Sequence, residues 1–145
     1  MALFGHKTKP HRIYSLDELE PMVKSGKPVL LNFMQVGCAP CQVMDGIMNE
    51  LAREYGETAH IVKVDVAKVP GAAAAFNVRS TPTFVLLGTA PVKQSKKARQ
   101  RAEKSGGTTP ASRGKITSRW RTVGLVKKNA LQRVLESNGA RLISS

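Results

Sequence analysis

The chain has 145 residues, 41% of them apolar, enough to build one domain around a sizeable core. Its formal net charge of +13 is large for this size and favours polyanions, acidic proteins or anionic lipid surfaces as partners. No apolar run approaches the length of a membrane span, and the first ten residues lack an apolar core of signal-peptide length, so a cytoplasmic protein is expected.

In chain order, residues 1–12 are short, polar and basic and read as an arm. Ile13-Tyr14 is placed as a brief edge strand. Ser15-Leu16-Asp17-Glu18 fits a capping box, with Ser as N-cap and Glu three residues on. The helix it opens carries Leu16, Leu19 and Val23 on one side and ends near Ser25-Gly26-Lys27-Pro28. Pro28 to Val36 is an almost continuous apolar run, the pattern of a buried central strand. Val43, Met44, Ile47, Met48 and Leu51 then recur close to the helical period, and the helix runs to Tyr55. His60 to Val66 alternates as a strand. Lys68 to Gly71 turns the chain into a short helix over Ala72 to Phe76. Phe84 to Leu87 forms a further strand, and Arg119 to Val123 a last one. Leu131, Val134 and Leu135 mark a final inward-facing helix, with Asn138-Gly139 at its C-cap. This β-α-β-α-β-α-β-β-α order predicts a mixed sheet with helices on both faces.

Both cysteines lie in Gly37-Cys38-Ala39-Pro40-Cys41, where the central strand gives way to the helix. A Cys-x-x-Cys pair at such a junction is a redox signature with a mechanism. The unsatisfied N–H groups and positive dipole end of the helix favour a thiolate over a thiol. The first cysteine can attack, and the second, one turn away, can close a disulfide. A zinc half-site is one alternative, but it needs about two further ligands, and His6, His11 and His60 form no adjacent ligand pair. A pair of inert buried thiols is the other.

These residues resemble the thioredoxin family over roughly residues 12–88 and 119–140. The resemblance is carried by Cys38-Ala39-Pro40-Cys41, by Lys63 on the following strand, and by Arg79-Ser80-Thr81-Pro82-Thr83. It implies an α/β fold, a thioredoxin-like three-layer sandwich with a mixed central β-sheet flanked by helices. It implies a thiol–disulfide oxidoreductase that reduces protein disulfides, fed by an electron-donor reductase or another thiol donor. Cys38 would be the exposed nucleophile and Cys41 the buried resolving thiol, with their disulfide as the only redox group and no cofactor or metal. Pro40 would shape the first helical turn. Pro82, in cis, would pack near Cys38, and Thr81 would offer backbone hydrogen bonds to an extended substrate. Two departures are evident. Gly37 stands where the family usually has Trp, and Asn32 stands where it has a buried acid. An amide cannot accept and return the resolving thiol's proton at neutral pH. Lys63, normally paired with that acid, would lose its partner.

The family's last two strands meet in a tight hairpin, whereas here residues 88–118 intervene as a basic insertion within a single, monomeric domain spanning 1–145. Residues 89–121 carry ten cations, including Lys93, Lys96, Lys97, Arg99, Arg101 and Lys104, against Glu103 alone. Such a segment is a solvated loop, a phosphate-binding surface for nucleic acid or a ribonucleoprotein, or a dock for an acidic protein or membrane. The alternative to an enzyme is accordingly a thioredoxin-fold binding subunit docked by this insertion. Trp120, between Arg119 and Arg121, is expected to pack in the core.

Overall fold

The computed structural model describes residues 9–89 and 116–142. Five strands form one sheet in the order β1-β3-β2-β4-β5: β1 is His11–Arg12, β2 Val29–Met34, β3 His60–Asp65, β4 Thr83–Thr89 and β5 Ile116–Val123. β1 and β2 run parallel to β3, while β4 is antiparallel to both β2 and β5. Among the described residues four α-helices flank the sheet: α1 Leu19–Lys24, α2 Ala39–Tyr55, α3 Ala72–Ala75 and α4 Lys128–Ser137.

β2 lies at the centre of the sheet, and all six of its residues are buried. The pleat sends alternate side chains to opposite faces. Leu30 joins Met44, Met48, Leu51 and Tyr55 of α2 and Leu131 and Leu135 of α4. Leu31 and Phe33 join Leu19 and Val23 of α1 and Ala72 of α3. The result is the expected three-layer sandwich. Trp120 packs against the α2–α4 layer, as its position in β5 demands.

Several boundaries differ from the sequence reading. The edge strand falls on His11–Arg12 rather than Ile13-Tyr14. The capping box explains this, because the Glu18 carboxylate accepts from the N–H groups of Tyr14 (2.7 Å) and Ser15 (3.1 Å), turning the chain away from β3. These bonds, led by that from Tyr14, hold the Glu18 carboxyl below its ordinary value. The first turn is a 3-10 helix over Leu16–Glu18, and α1 follows it directly. Val43 points to solvent at 61% exposure while Met44 and Met48 take the buried face of α2. β4 and β5 stay paired out to Thr89 and Ile116, so the sheet absorbs both ends of the expected insertion. Residues 1–8 of the basic arm and 90–115 of the insertion lie outside the described residues.

Candidate active site

Helix α2 begins where β2 ends, and Cys38 is its N-cap. Its sulfur accepts the Cys41 N–H at 3.2 Å, so a donor the helix cannot satisfy internally points at Cys38 Sγ. Pro40 falls in the first turn, where its missing N–H leaves no bond unmade. Cys38 and Cys41 are joined as a disulfide with their Cα atoms 5.2 Å apart. The two sulfurs differ in environment: Cys38 is half-buried, whereas Cys41 is 2% exposed. That asymmetry leaves Cys38 the more accessible of the two sulfurs.

The loop into β4 meets this turn. The Thr81–Pro82 peptide bond is cis, and the Thr81 carbonyl oxygen lies 3.5 Å from Cys38 Sγ. Thr83 is fully buried and its hydroxyl donates to Ser80 O at 2.8 Å, closing the loop. The Gly124 N–H donates to Pro82 O at 2.8 Å, which brings the end of β5 to the same place. Apolar side chains stand exposed on these converging segments: Val36 and Val43 flank the cysteines, and Val123 and Leu125 flank Gly124. They make a hydrophobic collar that sequence patterning does not reveal, since Val36 extends the apolar run of β2 and Val43 joins the apolar repeat of α2.

Gly37 has a left-handed backbone at φ +88°, and a Cβ there would meet open space. The glycine is therefore required by the turn that presents Cys38. Asn32 is fully buried on the α2 side of β2, beside Lys63 of β3 and Phe84 of β4 in register. Neither polar atom of its amide has a hydrogen-bond partner among the described residues. Lys63 makes no bond to Asn32, as expected, but it is not left alone: its ammonium lies 3.1 Å from Asp45 Oδ1 on α2. A full negative charge outcompetes a neutral amide oxygen for an ammonium. Sequence reasoning missed Asp45; the available signal was its position one helical turn after Cys41.

Of the expected site residues, the structure gathers Cys38, Pro40, Cys41, Thr81 and Pro82 at the start of α2, with Cys41 and Pro82 buried, and sets Asn32 and Lys63 in the layer under α2. Lys93, Lys96, Lys97, Arg99, Arg101 and Lys104 lie outside the described residues. Two neighbouring cations are committed internally. Arg119 Nε donates to Asn138 Oδ1 at 3.0 Å, and Arg121 donates to the carbonyl oxygens of Phe76 and Asn77. Among the described residues no helix is long and apolar enough to cross a membrane.

Known proteins are similar to this chain in sequence and fold. The chain is 35% identical over 81 residues to the chloroplastic thioredoxin Y of Oryza sativa, covering 56% of the chain and 47% of that protein. It is 36% identical over 79 residues to the chloroplastic thioredoxin Y2 of Arabidopsis thaliana, covering 54% and 46%. The matches thus span about half the length of these curated relatives. A mutant thioredoxin of Halobacterium salinarum superposes with a TM-score of 0.66 at 23% identity, covering 96% of this chain and 97% of that one. The family model described as thioredoxin matches residues 13–106, well over half of the chain, and with the cysteine turn and the Thr81–Pro82 loop it establishes that this chain belongs to the thioredoxin family.

Proposed function

We propose that the protein is a thiol–disulfide oxidoreductase that reduces protein disulfides through Cys38 and Cys41. The observation that carries the reading is the pairing of a half-buried N-cap sulfur with a buried partner one turn on, beside the Thr81 carbonyl. In the reduced protein the Cys41 N–H and the helix terminus favour a Cys38 thiolate. That thiolate attacks one sulfur of a substrate disulfide, and the other sulfur leaves as a thiolate. Cys41 then displaces the substrate from Cys38, forming the internal disulfide and completing a two-electron transfer. The Thr81 backbone and the collar of Val36, Val43, Val123 and Leu125 suit an extended peptide with apolar side chains.

A thiol donor or a reductase returns the pair to the dithiol, and the chain works as a monomer in the cytoplasm. The basic insertion then serves delivery to an acidic partner, with the chemistry left to the cysteine turn. Equilibration in thiol buffers, alkylation of free thiols and mass counting test the reading. A reversible two-electron transition near about −270 mV is expected of a reductase. Thiols that never close the Cys38–Cys41 bond would sink it. Cys41→Ser should accumulate the Cys38 mixed disulfide, and Cys38→Ser should abolish turnover.

A further inference from the structure

The second step of this reaction has an unmet requirement. Cys41 must lose a proton to attack, yet it is 2% exposed and packs in the layer that holds Met44 and Met48. Burial in apolar surroundings disfavours a thiolate. The strand beneath offers Asn32, whose amide cannot take the proton. The base must come from elsewhere.

We propose that Asp45 is that base, a role that rests on the oxidoreductase reading above. Asp45 follows Cys41 by four residues on α2, so their side chains are neighbours on one helix face, with Cβ atoms about 5–6 Å apart. At about 100° per residue it is displaced only about 40° around the helix from Cys41. Helical Cβ atoms tilt toward the N-terminus, which leans the Asp45 carboxylate over the turn that holds Cys41. Lys63 fixes the carboxylate on the β3 flank, its Nζ 3.1 Å from Oδ1. The Lys63 side chain is 20% exposed and that of Asp45 39%, so the pair is tied to the sheet on one side and to solvent on the other. Asp45 therefore takes a proton from inside and returns it to water.

The step balances. The Cys41 thiol proton passes to the Asp45 carboxylate. The Cys41 sulfur lone pair forms the bond to Cys38 Sγ, and the bond from Cys38 Sγ to the substrate sulfur breaks. The substrate leaves as a thiolate and collects a proton from Asp45 or water, while the protein dithiol is oxidised to the disulfide.

The competing carboxylate is Asp65, 2% exposed at the end of β3 and opposite Met34. One oxygen accepts the Ala67 N–H at 2.9 Å, and the other has no partner among the described residues. Asp65 belongs to a buried strand end with little access to solvent, so it is poorly placed to exchange protons with water between turnovers.

Single-turnover reaction of the reduced full chain with the aryl disulfide 5,5′-dithiobis(2-nitrobenzoate) separates the two steps. The coloured aryl thiolate is released once when Cys38 forms its adduct and again when Cys41 resolves it. Asp45→Asn should leave the first release unchanged and slow the second by about 100-fold, the low end of general-base contributions. Asp45→Glu should recover most of that loss. Lys63→Gln breaks the ion pair that holds the carboxylate but keeps the base, so it should slow the second release by much less than Asp45→Asn does. The proposal is overturned by an undiminished second release in Asp45→Asn, by equal losses in Asp45→Asn and Lys63→Gln, or by a loss confined to Asp65→Asn. No first release from the unaltered protein would remove the oxidoreductase reading itself, and this proposal with it.

Discussion

Asn32 and Lys63 are register partners across β2 and β3, yet no hydrogen bond joins them, and the Lys63 ammonium is held by Asp45 instead. The sheet thus buries an amide whose polar atoms are unanswered among the described residues. Leaving such groups without partners costs about 1–3 kcal/mol. Asn32→Val suits a central strand and removes the polar atoms. It should hold or raise stability, by up to about 2 kcal/mol, in urea unfolding. A loss of that size would mean that the amide is hydrogen-bonded after all.

Gly37 tests whether the missing aromatic is a matter of side chain or of backbone. Its φ of +88° is unfavourable for any side chain, although a Cβ would touch nothing. Gly37→Ala should therefore lose about 1–2 kcal/mol, the left-handed penalty alone. Gly37→Trp should lose about as much. Chemical denaturation of the two variants side by side checks the equality.

Arg121 belongs by sequence to the basic segment, but its guanidinium clasps the carbonyl oxygens of Phe76 and Asn77, the latter at 2.7 Å. Asn77 itself adopts a left-handed backbone at φ +52°, so the clasp pins an uncommon turn. Arg121→Ala should cost about 1 kcal/mol, and Arg121→Lys should not restore it, because an ammonium lacks the planar fork. Unaltered unfolding midpoints in both variants would return Arg121 to the set of free surface cations.

Tyr55 gives the fold an alkaline limit. Its side chain is fully buried, and burial first, then its hydrogen bond to the Glu136 carboxylate, pushes the phenol above its ordinary value. A group whose proton is held more tightly in the folded state supports folding below its unfolded pKa, about 10, and that support fades as pH rises beyond it. Lys128 acts in the same direction, since its hydrogen bonds to Glu50 and Glu54 raise its pKa. Stability should thus fall above about pH 10, and Tyr55→Phe should flatten part of the fall. Urea midpoints measured between about pH 9 and 11 decide it; an identical slope in the variant would assign the whole effect to Lys128 or other cations.

The sandwich and the cysteine turn were legible in the order of the residues. An almost continuously apolar β2, a 3.6-residue apolar stripe in α2, and the Ser15–Glu18 box are local patterns, and local patterns are written along the chain. The position of Cys38 at a helix start could be read for the same reason. What meets across the fold had to come from the packing. It brought the Thr81 carbonyl to Cys38, 43 residues away, and gave Lys63 to Asp45 rather than Asn32. It also assembled a collar from Val36, Val43, Val123 and Leu125, and engaged Arg121 with the turn after α3. None of these follows from periodicity, because periodicity assigns a face to each residue and leaves its partner to the packing of strands and helices distant in the chain.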